Sequence, residues 1–143
     1  MLNVTLPDGT VKEVASGTTP LDVARSIESV FCERLHEFYG VLAFHYSRGD
    51  EMENAEEYLL KAGEEALKVA GSNEALNYFQ DAMELYFRKF GDAVSPEKIA
   101  SLQKNIGMAF YYKGHFAESV EHFDKALEYW GLKRPKSEIK ARF

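Results

Sequence analysis

Small and bulky apolar residues recur at one fixed spacing in three places along the chain. In each place a small residue is followed four positions later by a bulky apolar residue, and alanine follows three positions after that. The three copies are Ala55-Leu59-Ala62, Ala75-Phe79-Ala82 and Ser119-Phe123-Ala126. These positions fall on one stripe of a helix, and the small residues allow a neighbouring helix to approach closely. Each copy is therefore predicted to be the second helix of a packed pair.

The first helix of a pair is most complete in front of the third copy. There Ile106, Gly107 and Phe110 share one face, a break follows at Gly114-His115, and Phe116 opens the next helix. The first copy has matching residues at the same places, namely Leu42, Ala43 and Tyr46. Two of the three pairs are thus well formed in sequence.

The middle copy begins 20 residues after the first, which leaves no room for a helix of its own in between. Helix 53–70 is therefore predicted to be the second helix of one pair and, through Gly63 and Ala66, the first helix of the next. The step from Ala75 to Ser119 is 44 residues. We assign the surplus to a long helix reaching about Phe90, a loop over 91–95 and a new helix starting at Pro96.

This pattern closely resembles the tetratricopeptide repeat (TPR), in which small and bulky residues alternate across paired helices. The resemblance covers about residues 33–130 and implies an antiparallel helical array that binds other proteins and performs no chemistry. Five or so helices are expected in 31–130, with breaks near 49–52, 71–72, 91–95 and 114–115. More weakly, segments 58–67 and 73–79 are similar to the helical repeats of bacterial signalling proteins of the ATPase and adenylate-cyclase type.

The first thirty residues follow a different pattern. Residues 2–6 and 10–14 alternate as strands do, and Pro7-Asp8-Gly9 between them is typical of a turn, which predicts a β-hairpin. Thr19, Pro20 and Asp22 then have the spacing of a helix N-cap, first turn and capping box. The fold class expected for the chain is mainly α, a TPR-like array with an N-terminal β-hairpin.

The strings Val4-Thr5-Leu6-Pro7-Asp8-Gly9-Thr10 and Gly17-Thr18-Thr19-Pro20-Leu21-Asp22 resemble the start of the TGS domain of threonyl-tRNA synthetases. The resemblance covers residues 1–28 and implies a small ubiquitin-like α+β fold, whose further strands are missing from the sequence after Glu33. Two incomplete resemblances side by side favour a chimera, natural or engineered. The hairpin is expected either to pack on helix 20–30 and the first repeat or to pair with a second molecule in a homodimer.

Composition agrees with one globular domain, because 143 residues with 45% hydrophobic and 28% charged side chains can form a substantial core. The sequence has neither an apolar run long enough for a membrane helix nor a signal peptide, which predicts a cytoplasmic protein. Cys32 is expected to be a buried structural thiol.

Charge is unevenly distributed around a net value of −6. Residues 51–90 carry nine acids and four bases, whereas 131–143, predicted to be a basic helix or tail, carries five bases and one acid. Binding of nucleic acid over a broad face is not expected of so acidic a body, since phosphate contacts require clustered Lys and Arg.

The sequence offers no evidence of catalysis, a metal or a cofactor. Its four histidines lack i,i+4 pairing and a neighbouring cysteine pair, adjacent glutamates diverge around a helix, and the serines lack a nucleophile-elbow motif. Four phenylalanines at repeat positions are assigned to packing: Phe79, Phe110, Phe116 and Phe123.

The remaining candidate is a peptide-binding groove lined by first-helix residues outside the packing stripe. These are Phe44, Arg48, Lys104, Met108, Tyr111 and Tyr112. Lys104 matches the lysine of the carboxylate clamp found in some TPR domains, but Met108 stands where the clamp has asparagine, so an apolar or mixed peptide is expected instead. The alternative is that these side chains cover a neighbouring helix or the hairpin.

The function predicted from sequence is therefore a non-catalytic scaffold that binds a protein or peptide. One alternative is a structural or self-assembling protein without a ligand, in which the hairpin mediates dimerisation. RNA binding through the TGS-like segment is a third.

Overall fold

The computed structural model describes residues 2–5, 11–14 and 17–133, and it is mainly α-helical. Six α-helices occur in the described residues: α1 (Pro20–Val30), α2 (Tyr39–Arg48), α3 (Met52–Lys68), α4 (Ser72–Phe90), α5 (Pro96–Tyr112) and α6 (Phe116–Tyr129). Two 3-10 segments, Cys32–Phe38 and Gly91–Ala93, connect α1 to α2 and α4 to α5.

Two short strands precede the helices. Strand β1 (Leu2–Thr5) pairs antiparallel with β2 (Val11–Val14), with Leu2 opposite Val14 and Thr5 opposite Val11. The turn predicted at Pro7-Asp8-Gly9 lies outside the described residues, as does the basic tail from residue 134 onward.

Helix α1 begins with the capping box that the sequence predicted. The Thr19 hydroxyl oxygen accepts a hydrogen bond from the Asp22 backbone N–H (3.2 Å), and the Asp22 carboxylate accepts one from the Thr19 N–H (3.0 Å). Because these bonds favour the ionised carboxylate, they lower the pKa of Asp22. Thr19 and Asp22 thereby satisfy two of the N–H groups left over at the helix start.

Helix α1 ends at Val30, and this overturns the prediction for Cys32. The chain leaves the α-helix at Phe31 and continues as a 3-10 segment, so Cys32 does not extend the apolar face of α1. Its side chain is exposed rather than buried. A run of apolar residues in the sequence does not ensure burial when the helix ends within that run.

The five helices predicted within 31–130 are present, with breaks at the expected places. Helices α2, α3, α5 and α6 end in the same motif, in which the second residue after the C-cap donates its N–H back to a carbonyl of the last turn. Glycine supplies the left-handed residue of that motif at Gly114 and Gly131. At the two earlier ends Asp50 (φ 58°) and Ala70 (φ 60°) occupy that place, although Gly49 and Gly71 are adjacent.

Consecutive helices pack against each other, and α3 lies between α2 and α4. The small residues of the repeated pattern are buried where helices meet: Ala55, Ala62, Ala75, Ala82, Ser119 and Ala126 are all at most 5% exposed. Helix α3 therefore serves two pairs, as the sequence predicted. Helix α1 belongs to the same stack, because its Ala24 and Ile27 lie in one core cluster with Leu42 of α2, Tyr58 of α3 and Leu85 of α4.

The packing role predicted for four phenylalanines is correct for three. Phe79 is fully buried and Phe110 and Phe123 are partly buried, but Phe116 is 60% exposed. Phe116 is the first residue of α6, where its ring meets the edge of Tyr111 at a centroid distance of 5.6 Å. None of the described helices covers it at this end of α6.

Within the described part of the chain, no helix is both long and apolar enough to cross a membrane.

Candidate functional site

A groove with a volume of about 610 Å³ runs between α2 and α4, with α3 beneath it. Helix α2 contributes Gly40, Ala43, Phe44, Ser47 and Arg48; α3 contributes Leu59. Helix α4 contributes Tyr78, Asp81, Glu84, Leu85 and Arg88. The groove exists because α2 and α4 both pack on α3 and leave a channel between them.

Glycine allows α2 and α4 to approach at one end of this groove. A Cβ atom on Gly40 would overlap the hydroxyl group of Tyr78, so the α4 tyrosine occupies the space that a side chain on α2 would need. Any larger residue at position 40 would push Tyr78 outward. Gly40 and Tyr78 therefore close this end of the groove.

The base of the groove is apolar. Ala43 and Leu85 are buried in the main core, and Leu59 packs against the same cluster. Phe44, by contrast, is 56% exposed although it lies in a concave surface with these residues. An exposed aromatic ring beside an apolar floor is typical of a contact surface for another apolar side chain.

The charged residues of the groove divide into two pairs. The guanidinium of Arg48 lies over the Phe44 ring, 5.2 Å from its centroid, and Arg88 lines the groove from α4. Asp81 and Glu84 form the other pair, and burial together with the charge of Glu84 raises the pKa of Asp81. No ion pair joins these four residues to each other or to other described residues.

A histidine on α2 lies beside Phe44 in sequence but does not line the groove. Burial, assisted by the charge of Arg48, lowers the pKa of His45. A neutral imidazole is thus favoured at this position.

The structure separates the six residues predicted to line one groove. Phe44 and Arg48 lie in the α2–α4 groove, whereas the other four lie on α5 and do not line it: Lys104, Met108, Tyr111 and Tyr112. Met108 is partly buried, and Lys104, Tyr111 and Tyr112 are exposed. Tyr111 contacts both Tyr112 (5.7 Å between centroids) and Phe116, which makes an exposed aromatic group at the α5–α6 turn.

Sequence reasoning missed the side of the groove formed by α4. Tyr78, Asp81, Glu84 or Leu85, and Arg88 recur every three or four residues and so share one face of that helix. This periodicity was visible in the sequence. Its meaning depends on the position of α4, which faces α2 across α3, and helical periodicity within α4 does not reveal that position.

A second cluster joins α1 to the stack beside the groove. The Glu28 carboxylate accepts hydrogen bonds from the hydroxyl groups of Tyr46 and of Tyr58, the latter at 2.9 Å. The two tyrosine rings stack at 5.6 Å. Burial, with the Glu28 hydrogen bond and charge, raises the pKa of Tyr46 to about 12 and raises that of Tyr58 as well. Both hydroxyl groups therefore remain protonated donors, which hold α1 against α2 and α3.

Among the described residues no group of three or more His, Cys, Asp or Glu side chains could hold a metal ion. An ion pair across helices joins Lys98 of α5 to the buried Glu56 of α3. This pair ties α5 to the preceding helices.

Comparison with known families gives one match at the N-terminal end of the chain. Residues 2–36 match the family model of the TGS domain, which confirms the resemblance stated for 1–28. The match covers β1, β2, α1 and most of the 3-10 segment Cys32–Phe38, and it ends before the groove. A comparison with curated proteins finds no match.

Proposed function

We propose that this protein is a non-catalytic cytoplasmic scaffold, built from TPR-like helical repeats, that binds a protein or peptide segment in the α2–α4 groove. Support for the repeat assignment comes from geometry that two pairs share. A Cβ on Gly63 would lie 2.7 Å from the Cζ atom of Phe79, and one on Gly107 would lie 2.8 Å from Cε1 of Phe123. In both pairs the small residue and the aromatic ring are 16 positions apart, as are Ala43 and Leu59.

The observation that carries the binding proposal is the exposure of Phe44 within the groove. Burying an exposed aromatic ring against a ligand is favourable by roughly 25 cal/mol for each Å² of apolar surface removed from water. A ligand side chain placed on Phe44 would gain this contribution from the exposed ring, with the buried Leu85 as part of the apolar floor beneath it, and Tyr78 closes the end of the channel. We therefore propose that Phe44 and Arg48 contact an apolar or mixed peptide directly.

The four α5 residues form a second part of the proposed surface. Lys104, Met108 and Tyr111 lie on one face of α5 at helical spacing, and Tyr112 adjoins Tyr111. We propose that this face contacts the remainder of a partner longer than the groove. It contributes less than the groove does, because Lys104, Tyr111 and Tyr112 are exposed to solvent.

The test is selection of binders from a random decapeptide display library on the immobilised full chain. We expect enriched peptides whose binding is weakened at least tenfold by Phe44→Ala, without loss of the helical circular dichroism signal. Lys113→Glu and Tyr129→Ala are matched controls, because they alter an exposed charge and an exposed ring outside both proposed contact surfaces and should leave decapeptide binding unchanged. If no enriched peptide loses affinity with Phe44→Ala, the groove is not the binding site.

A second candidate function is self-association through the N-terminal strands. The sheet in the described residues has two strands of four residues each, and so small a sheet is marginally stable in water. A second copy could extend it by edge pairing. Light scattering of the full chain and of a chain lacking residues 1–17 tests this candidate. A dimer that becomes a monomer on deletion supports it, and the same number of subunits in both would rule it out.

A further inference from the structure

The charges of the α2–α4 groove have an order along its length. Helices α2 and α4 each run antiparallel to α3, because loops of three residues join them, and so they run parallel to each other. Gly40 contacts Tyr78 near one end. Arg48 and Arg88 follow these residues by eight and ten positions, which places both arginines at the opposite end.

The two carboxylates lie between these ends. Asp81 and Glu84 come three and six residues after Tyr78 on α4, and Arg88 comes four residues after Glu84. At 1.5 Å per residue along a helix, the carboxylates precede Arg88 by roughly 6–10 Å. An extended peptide advances about 3.3 Å per residue, so this interval corresponds to two or three peptide residues.

Each pair is poised for a ligand group of opposite charge. The mutual repulsion of Asp81 and Glu84 is relieved when a cation approaches them, and Arg48 and Arg88 can both donate to one carboxylate. No described residue already neutralises either pair through an ion pair. The two arginines and the two carboxylates balance the net charge of the groove. A ligand whose charges all have one sign would therefore be attracted at one end of the groove and repelled at the other.

We propose that the groove selects a peptide segment bearing a basic and an acidic residue two or three positions apart, the base on Asp81 and Glu84 and the acid on Arg48 and Arg88. This inference rests on the proposed function, since it names the chemical class of peptide that the same groove binds. An apolar residue of the segment lies on Phe44. The order of the charges along the groove then determines the orientation in which the peptide binds.

The sequences enriched in the display experiment provide the first test. We expect a basic and an acidic residue at a spacing of two or three, in one order and not its reverse. Peptides whose binding depends on Phe44 but which lack this pair of a basic and an acidic residue would overturn the inference while leaving the proposed function in place. Failure to enrich any peptide that depends on Phe44 would remove both.

Charge reversal provides the second test, using one enriched peptide and fluorescence anisotropy. Arg88→Glu should weaken binding about tenfold, and replacing the acidic residue of the peptide by lysine should restore most of the affinity to this variant. Lys113→Glu is the matched control, because it makes the same charge change at the exposed end of α5, outside both proposed contact surfaces, and should have no effect. An Arg88→Glu variant that binds the original peptide as well as the parent protein does would overturn the proposed charge order.

Discussion

The α3–α4 and α5–α6 pairs use the same packing device in two different settings. In each pair a glycine faces a phenylalanine 16 residues later. Phe79 of the first pair is fully buried, whereas Phe123 of the second pair remains partly accessible. The difference lies in their neighbours, since α4 packs extensively against both α3 and α5, whereas α5 is the one described helix against which α6 packs extensively.

The same local pattern therefore contributes unequally to the free energy of unfolding at different places in a stack of helices. A residue in an inner layer is enclosed from both sides, so a change in its size creates a cavity or a clash. A residue in an outer layer can shift toward solvent. We therefore expect equivalent substitutions to cost more in the α3–α4 pair.

The largest expected difference is between Phe79→Ala and Phe123→Ala. Removing a fully buried phenylalanine costs about 3–5 kcal/mol, because transfer free energy is lost and a cavity remains. Phe123→Ala should cost about half as much, because part of that ring is already in contact with water. Urea unfolding of both variants measures the two values. Equal losses would show that Phe123 is as enclosed as Phe79 in solution.

A smaller difference is expected from adding a methyl group at the two glycines. Gly63→Ala places a Cβ against the enclosed ring of Phe79, and overpacking of this kind costs about 1–3 kcal/mol. Gly107→Ala meets the ring of Phe123, which can move, and alanine also favours the helix by about 0.5–1 kcal/mol. We expect Gly63→Ala to lower the melting temperature and Gly107→Ala to leave it nearly unchanged. A result in which Gly107→Ala is the more damaging would contradict the assignment of inner and outer layers.

Substitutions at the ends of α3 and α5 are expected to change the stability of the protein in opposite directions. Ala70 after α3 and Gly114 after α5 occupy the same left-handed place in equivalent motifs. Ala70→Gly should stabilise the protein by up to about 1 kcal/mol, because glycine adopts this conformation without steric cost, and Gly114→Ala should destabilise it by about 1 kcal/mol. Thermal unfolding monitored by circular dichroism distinguishes them. If both changes shift the melting temperature in the same direction, backbone strain at residue 70 does not control stability.

The smallest expected effect is a pH dependence that both regions share. Burial lowers the pKa of His45 on α2 and of His122 on α6, and the charges of Arg48 and Lys125 act in the same direction. Below the ordinary histidine pKa of about 6.5 the unfolded chain therefore binds more protons than the folded chain. The free energy of unfolding should therefore decrease as the pH falls below about 6.5.

Replacing each histidine separately reveals its share of this slope. His45→Gln and His122→Gln should each reduce the decline in unfolding free energy between pH 7 and pH 5. Only the slope is compared, because His122 also bonds Gln103 (2.6 Å) and its loss lowers stability at every pH. A slope unchanged in both variants would assign the pH dependence to other groups.

The helices were predictable from sequence because their signals are local. Ala55, Ala75 and Ser119 marked three close helix contacts, Pro96 marked a helix start, and the Thr19–Asp22 capping box required only four neighbouring residues. The double role of α3 was also predictable, since a 20-residue step leaves no room for another helix. The TGS-like segment was recognisable for the same reason, as its turn and cap are each made by a few neighbouring residues.

Errors arose where the outcome depended on what covers a residue. Cys32 follows two apolar residues and Phe116 holds a repeat position, yet Cys32 lies after the end of α1 and Phe116 lies exposed at the start of α6. Burial is decided by contacts with distant segments, so the alternation of residue types cannot supply it.

By itself the sequence determined which segments become helices, where they end and which faces are small enough to pack closely. Only the tertiary structure decided that α4 faces α2 across α3, that Phe44 and Arg48 join Asp81 and Arg88 in one groove, and that Lys104 and Tyr111 stay apart from it. The physical reason is distance along the chain. Helix periodicity acts over a few residues, whereas the groove unites residues about 40 positions apart through packing on a third helix.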